Sequence, residues 1–288
     1  MTRDLRSQLS GVISPEEIKQ IYNSYDIVGD IAIIRATEVS TKYCGDIAKA
    51  IMNFHHNVKT VLVQTSPIRQ GFRTRELRHV AGESKTVTTH VESGCKFSVD
   101  VSNCYFSPRL SCERMRVAKQ VTAGETVVNM FAGVGCFSLL IAKYSNASRV
   151  FSIDINPVAL EHMQKNIRVN RAYRRVIPLF GDAKDVIEAR LLHVAERVLM
   201  PLPGKAFEYL SYALLALSEQ RGWIHYYDFE HAKKTEDAVE KVRMKVVKKL
   251  ADLNVAFEIP FGHVVRSTGP NWSQVVLDIF VKGSAWQV

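Results

Sequence analysis

The chain has no apolar run approaching the roughly 18 residues that a membrane-crossing helix needs, so no spanning segment is expected. Its opening residues, MTRDLRSQLSG, hold no apolar centre of the kind a signal peptide carries. Cysteine is sparse: Cys44, Cys95, Cys104, Cys112 and Cys136 are five, an odd number, with no C-x-x-C pair among them. That argues against a disulfide framework and a zinc knuckle, and no metal is expected. Reduced thiols in a cytoplasmic protein fit better. Acid is the scarcer charge, with 29 Asp and Glu against 38 Lys and Arg, a net charge of +9. Such an excess points to a polyanionic partner, nucleic acid first, although a basic protein without one can share the composition. Internal repeats and low-complexity tracts are absent. What remains is a globular composition, 288 residues and 47% hydrophobic, able to fill one large domain or two of ordinary size.

Residues 126–157 organise the rest. An apolar run, Thr126 to Val128, enters the small-residue turn Ala132-Gly133-Val134-Gly135; an apolar stretch of helical length follows, Phe137 to Tyr144. A second β-type run, Arg149 to Ile153, ends in Asp154, 19 residues after Gly135. Strand, glycine turn, helix, strand and carboxylate make the first half of a doubly wound nucleotide fold, with the acid placed for two ribose hydroxyls. A dinucleotide fingerprint wants a third glycine three residues on, where this chain has Ser138. A pyrophosphate needs a cradle at the helix N-terminus, whereas S-adenosylmethionine has no phosphate and needs only the close turn and the ribose acid. The turn therefore suits S-adenosylmethionine; the alternative is a turn that merely packs a helix on a sheet.

Around this unit the pattern reads as follows. Ser14-Pro15-Glu16-Glu17 caps a short helix running to about Tyr22. Asp26 to Arg35 is a strand with a Gly-Asp turn or bulge, Thr41 to Phe54 a helix with Ile47, Ala48 and Ile51 inward, and Val58 to Gln64 a β run. A loop from Thr65 to Arg73 precedes Leu77 to Gly82, and Thr86–His90 with Cys95–Asp100 form a hairpin. Residues 1–100 read as a small α+β domain, 101–121 as a connector helix and 122–288 as the Rossmann-like domain. In that last part strands are expected at Val176–Phe180, Glu196–Met200 and Gly222–Tyr227, and helices at Val158–Asn170 and Ala206–Leu217. Thr235 to Leu253 is an amphipathic basic helix with Val239, Val242, Val246 and Leu250 inward, and two antiparallel strands close the sheet.

Five pieces in this order, Phe106-Ser-Pro-Arg-Leu-Ser-Cys-Glu-Arg114, Asn129-Met-Phe-Ala-Gly-Val-Gly135, Ile153-Asp-Ile-Asn-Pro157, Met200-Pro-Leu-Pro203 and Ile224-His-Tyr-Tyr227, resemble one family. It is the archaeal and eukaryotic tRNA (guanine-37-N1)-methyltransferases, of the class I, S-adenosylmethionine-dependent Rossmann-like type. The resemblance runs from about residue 15 to 283. The family also holds the aminocarboxypropyltransferase of the wyosine pathway. It implies methyl transfer to guanosine 37, with the tRNA anticodon stem-loop as partner and a monomer. Longer members carry a further N-terminal domain that grips the tRNA elbow. The chain begins too late for one, so a less strict check of tRNA shape is expected.

N1 of guanine bears a proton at neutral pH, so a base must remove it while a cation or N–H donor meets the charge gathering on O6. By resemblance Glu113 is the base and Arg73 the stabilising cation. Read from the residues alone, Glu113 is rather an exposed helix acid paired with Arg109 or Arg116, and Arg73 can be a phosphate contact. For the cofactor, Phe131, Gly133 and Gly135 form the turn, Asp154 takes the ribose and Ile155 lies on an adenine face. Asp182, with Ala183 behind it, accepts from the adenine amine or caps a helix. Arg109 and Pro201-Leu202-Pro203 are expected on the substrate side. Two positions depart from the family pattern: Asn129 stands where the first strand commonly ends in Asp, and Pro201 where Asn commonly opens the motif after strand four. Asn129 is nonetheless expected at the cofactor's methionine end.

Lys165, Arg168, Arg171, Arg174 and Arg175 form an acid-free basic cluster that fits RNA. Lys241, Arg243, Lys245, Lys248 and Lys249 either join it or form a solvated helix face. Tyr226, Tyr227 and Trp272 either stack on bases or pack the core. Three functions remain open: the guanosine-37 methyltransferase; a wyosine-pathway transferase or dual-substrate methyltransferase at the same position; and a non-catalytic RNA-binding protein.

Overall fold

The computed structural model describes residues 5–35, 37–67 and 71–284. The chain divides into two compact units, Met1–Arg109 and Leu110–Val288, a boundary inside the stretch expected as a connector.

In the first unit Leu5–Leu9 (α1) and Pro15–Ile18 (α2) come first; Ser14 caps α2 by accepting the Glu17 N–H, with Pro15 at the first helical position. α2 is a single turn and stops short of the expected Tyr22. The Gly29-Asp30 turn folds the next stretch back on itself, so Asp26–Val28 (β1) pairs antiparallel with Ile31–Arg35 (β2). Glu38–Lys42 (α3) and Cys44–Phe54 (α4) follow, and α4 buries Ile47, Ala48 and Ile51, the positions its periodicity selects. Thr60–Gln64 (β3) lies parallel to β2, and Leu77–Gly82 (β4) antiparallel to β3. Val87–Glu92 (β5) and Cys95–Asp100 (β6) form the expected hairpin. Residues 68–70 of the expected loop at 65–73 lie outside the described residues.

The second unit opens with a 3-10 turn into Ser111–Gln120 (α5). Then Thr126–Asn129 (β7), Cys136–Tyr144 (α6), Arg149–Asp154 (β8), Pro157–Val169 (α7), Val176–Phe180 (β9), Ala183–Arg190 (α8), Arg197–Met200 (β10), Ala206–Ala216 (α9) and Arg221–His231 (β11) alternate. Ala238–Asp252 (α10) leads to the long pair Val255–Gly269 (β12) and Trp272–Ser284 (β13). Among the described residues the sheet has 7 strands in the order β12-β13-β11-β10-β7-β8-β9. β9, β8, β7, β10 and β11 run parallel, and β13 and β12 join antiparallel. The chain works outward from β7 to β9 and then returns to the other side of β7. The strand order thus reverses between β7 and β10, and ligands of such sheets bind at the carboxyl ends beside that reversal.

The parallel strands are covered on both faces, which is why β7 and β10 read as continuous apolar runs. Val128, Ile153, Val198 and Ile224 of the sheet share one core with Leu210 of α9 and Val242, Val246 and Leu250 of α10. Each such burial contributes about 1.5–3 kcal/mol. Val239, expected inward, is only partly buried, because α10 begins at Ala238 under an Asp237 cap. Tyr226 and Tyr227 are core residues, 0% and 1% exposed, which settles them against base stacking. No described helix is long and apolar enough to cross a membrane.

Two glycines test this backbone. Gly222 opens β11 at φ +148°, and an added Cβ would lie 2.4 Å from the Glu196 carbonyl oxygen. Gly45 is exposed on α4, with no atom within 4 Å of an added Cβ. Gly222→Ala should lower stability by about 1–3 kcal/mol, and Gly45→Ala should raise it by about 0.5–1 kcal/mol. Urea unfolding midpoints that shift in opposite directions check the pair.

Candidate active site

The turn after β7 is shaped by two residues that need left-handed backbone, Gly133 at φ +56° and Gly135 at φ +90°. Asp154, at the tip of β8, holds it. Its Oδ2 accepts the Gly133 N–H at 2.6 Å, and its Oδ1 accepts the Asn156 N–H at 2.9 Å. Each oxygen keeps a lone pair for an outside donor. Burial pushes the Asp154 carboxyl above its ordinary range, against the pull of the two N–H groups. Asn156 caps α7 through the Val158 and Ala159 N–H groups, and Asn166 on α7 donates to the Val134 carbonyl at 3.0 Å. The turn is thus fixed from two sides. Ile155 and Phe180, at the tips of β8 and β9, stay exposed at 50% and 59%, an apolar platform at the carboxyl edge.

Asp182 caps α8, accepting the Lys184 N–H at 3.0 Å, which is the local alternative its sequence position allowed. Tyr209 donates its hydroxyl to both Asp182 oxygens, at 3.0 and 2.9 Å. Burial and the adjoining carboxylate push the Tyr209 phenol up, so it stays a donor. The Phe131 ring meets Tyr209 edge-on at 5.3 Å. Ala183 is buried, while Pro201 and Leu202 are half-buried and Pro203 buried after β10. Asn129, at the end of β7, is fully buried and donates to Ser138 Oγ at 3.1 Å, while its Oδ1 finds no partner among the described residues.

Glu113 is also not the exposed acid that local sequence allowed: it is 4% exposed. Its carboxyl group accepts from Arg116 Nε and Nη2 at 2.9 and 2.8 Å, and from the Tyr227 hydroxyl at 2.6 Å. Burial and the Glu113 carboxylate keep the Tyr227 phenol protonated. The other edge of the Arg116 fork grips Asp278 at 2.5 and 3.0 Å. Asp278 Oδ1 also meets His225 Nδ1 at 2.7 Å, and His225 Nε2 lies 2.8 Å from Arg197 Nη1. A guanidinium only donates, so Nε2 is the acceptor and His225 is neutral, with its proton on Nδ1. Arg197 ends the chain on Glu125 at 2.7 and 3.0 Å. Burial alone would raise the Asp278 carboxyl; His225 and Arg116 outweigh it and hold the group well below its ordinary range.

In the first unit, Arg73 takes a left-handed backbone, φ +57°, and its guanidinium lies 4.6 Å over the Tyr105 ring. Arg73, Arg75, Tyr105 and Phe106 line a shallow cleft. Arg109 does not reach Glu113's helix as a partner; it pairs with Asp26 at 2.8 Å. Lys165, Arg168, Arg171 and Arg174 are exposed, whereas Arg175 is tied to the Ala142 and Ser145 carbonyls. On the basic helix α10, Lys241 and Lys245 share Glu230 and Arg243 pairs with Glu240. Tyr105, Tyr209 and Asp278 stood out nowhere in the sequence, whereas His225 and Tyr227 lay in the Ile224–Tyr227 motif without the contacts they make here. Only the three-residue spacing of Glu113 and Arg116 carried a local signal. Among the described residues no cluster of His, Cys, Asp or Glu could hold a metal.

Comparison with known proteins matches residues 88–256 to the TRM5/TYW2 methyltransferase domain and residues 5–86 to the TYW2 N-terminal domain. The chain is similar to the tRNA (guanine(37)-N(1))-methyltransferase Trm5b of Pyrococcus abyssi, 39% identical over 269 residues, 93% of this chain and 78% of that one. It is also similar to the tRNA 4-demethylwyosine(37)-methyltransferase Taw21 of Saccharolobus solfataricus, 35% identical over 92% of this chain and 96% of that one. Among solved structures, Methanocaldococcus jannaschii Trm5 in complex with adenosine matches with a TM-score of 0.76 and 33% identity, over 92% of this chain and 77% of that one.

The buried network predicts a pH signature. Removing the Asp278 charge leaves Arg116 and the His225 N–H short of an acceptor, so Asp278→Asn should cost about 3–5 kcal/mol at neutral pH. The depressed Asp278 carboxyl contributes stability above its unfolded value, about 3.9, and loses it as pH falls through the lower folded value. Urea unfolding should therefore show a wide gap between wild type and variant at pH 7 that narrows in strong acid. A gap independent of pH would contradict it.

Proposed function

The chain belongs to the family of the TRM5/TYW2 methyltransferase domain, and from that premise we propose that it transfers a methyl group from S-adenosylmethionine to N1 of guanosine 37 in tRNA. The observation that carries this reading is Glu113. It is a buried carboxyl group, aligned by Arg116 and Tyr227, in the same unit as the glycine turn and Asp154. The relatives named above for position 37 of tRNA, and the adenosine bound by the M. jannaschii protein, support the substrate and the cofactor.

The residues fit S-adenosylmethionine, which when bound supplies an electrophilic methyl group on its sulfonium sulfur. Asp154 has a free lone pair on each oxygen for the two ribose hydroxyls. Ile155 offers an exposed apolar surface to the adenine, and Asp182, steadied by Tyr209 and followed by Ala183, accepts from the adenine amine. Phe131, Gly133 and Gly135 keep the turn close to the ligand. Asn129 lies at the methionine end of the cofactor, its amide nitrogen on Ser138 and its Oδ1 left to accept. Pro201, Leu202 and Pro203 border the position that receives the base.

Glu113 takes the N1 proton, and Arg73, with Tyr105 beneath it, meets the charge on O6. Arg109 and the exposed Lys165, Arg168, Arg171 and Arg174 contact RNA phosphates. Residues 1–100 serve as the RNA-binding domain, joined by 101–121 to the methyltransferase domain at 122–288. The anticodon stem-loop is the partner, and guanosine 37 leaves its stack to reach the site. A second reading is supported by the match of residues 5–86 to the TYW2 N-terminal domain and by the S. solfataricus relative. It has the same site methylating a wyosine precursor at position 37. A tRNA bearing that tricyclic base tests it by the mass of the product.

Two experiments test the chemistry. Glu113→Gln keeps the size and one acceptor but cannot take the proton. Single-turnover methyl transfer should fall by about 10²–10⁴-fold, with tRNA and cofactor affinity held within a few-fold. A wild-type rate would remove Glu113 from the mechanism. The second concerns Asp154, whose raised carboxyl must be ionised to accept two hydroxyls. Calorimetric affinity for S-adenosylmethionine should strengthen as pH rises through that raised value and then level off. Below it, the loss should approach about tenfold per pH unit. Affinity flat across the acid range would sink the ribose assignment.

A further inference from the structure

Glu113 is 4% exposed, so a proton that reaches it has no direct way to water. Of its neighbours, Arg116 and Tyr227 only donate to it and are fully protonated. Among the described residues the remaining polar neighbour is His263 on β12, whose Nε2 lies 3.6 Å from Glu113 Oε2. The geometry points to His263 as the group that takes the proton on from Glu113 and passes it to solvent. The inference rests on Glu113 being the base for N1.

The two histidines of this region make opposite cases. His225 is 0% exposed and has both ring nitrogens committed, to Asp278 and to Arg197, so it can neither gain nor release a proton without breaking the network. The His263 side chain is 35% exposed, and its Nδ1 is buried without a partner among the described residues. Nothing fixes its tautomer. Nε2, the nitrogen that faces Glu113, is thus not held to a fixed donor or acceptor role as in a structural imidazole. At 3.6 Å the Nε2–Oε2 contact is longer than a hydrogen bond and must tighten on substrate binding, as catalytic contacts commonly do.

The charged groups around the ring come from several elements. α5 supplies Glu113 and Arg116, and the Arg116 guanidinium stacks 4.7 Å over Phe261, itself 5.1 Å from the His263 ring. β13 supplies Asp278, in register with Phe261. From α10, Arg243 donates to the Ile259 carbonyl at 2.8 Å. On β12 itself the nearest charged residues along the strand are Glu258 and Arg266, the latter bonded to Gln274 at 2.9 Å.

The step balances. The N1 proton moves to Glu113 Oε2, and the N–H electron pair stays on N1 and bonds to the methyl carbon. The carbon–sulfur pair leaves with sulfur. His263 Nε2 then accepts the proton from Glu113 and yields it to water, which restores both side chains. His263 acts through Glu113 and is a positioning residue for proton flow rather than a group that touches the guanine.

The test is steady-state methyl transfer over many turnovers to an unmodified tRNA transcript by His263→Ala, with and without imidazole in the buffer, beside a single-turnover measurement, which ends before Glu113 is relieved of its proton and should stay near wild type. Steady-state turnover should slow by about 10–100-fold, less than the about 10²–10⁴-fold of losing the base itself. Affinity for tRNA and S-adenosylmethionine should stay within about threefold of wild type. Imidazole should restore the rate, and more so as pH rises through about 6.5–7 and its neutral fraction grows. His263→Gln, which keeps the volume on β12, should show the same slow turnover and covers the case in which the alanine variant does not fold. A folded variant with wild-type steady-state rate overturns the inference. So does a loss in the alanine variant that imidazole leaves unchanged and that the glutamine variant does not share. A wild-type protein that transfers no methyl removes the active-site reading and the inference together; an active wild type with an unimpaired variant removes the inference alone.

Discussion

Arg116 holds two carboxyl groups at once, and the second unit is built so that it must. One edge of its guanidinium fork is spent on Glu113, three residues earlier on the same helix, and the other on Asp278, 162 residues later. Two buried carboxylates facing each other would repel strongly in a low-dielectric interior; a planar, always-charged fork between them converts the repulsion into paired contacts. The cost of burying these charges is offset only because nearly every donor and acceptor around them is matched. Arg116 and Gln120 donate to Asp278, His225 donates its only proton to Asp278, and Arg197 fills the other nitrogen of His225. The network joins α5 to β13, β11 and β10, the last of which pairs with β7, so α5 is tied across the middle of the sheet.

Seen chemically, the same network sets what Glu113 can do. A carboxyl group left loose in an apolar site would rotate away from a substrate nitrogen, whereas one gripped by a guanidinium fork and a phenol keeps its plane. The cofactor side follows a parallel logic. Asp154 is anchored by two backbone N–H groups rather than by charges, and Asp182 by a helix cap and one phenol. Glu113, Asp154 and Asp182 are thus each oriented by donors from the protein.

The sequence carried the fold well because the fold's devices are local. A strand entering a glycine turn, a helix and a carboxylate 19 residues on are contiguous, and α4 announces its buried face by spacing alone. The candidate site was legible only where it is local too. Gly133, Gly135, Asp154 and the Asp182 cap could be read directly, while Glu113 and Arg73 needed a family resemblance to stand out. Asp278 could not be read at all, and His225 and Tyr227 stood out only as part of the Ile224–Tyr227 motif; their contacts form when β11 and β13 bring them to α5. The Asn129 contact to Ser138 is one that local spacing does not reveal. The lysines of α10 resembled a nucleic-acid face until the structure placed Glu230 against two of them.

The central claim is that this arrangement methylates N1 of one guanosine. The most direct measurement is to incubate the protein with an unmodified tRNA transcript carrying guanosine at position 37 and S-adenosylmethionine labelled in its methyl group, then digest the RNA and identify the labelled nucleoside. The account predicts label in 1-methylguanosine alone, and none when position 37 is changed to adenosine. Label in another nucleoside, or no label with a folded protein that binds both partners, would contradict it.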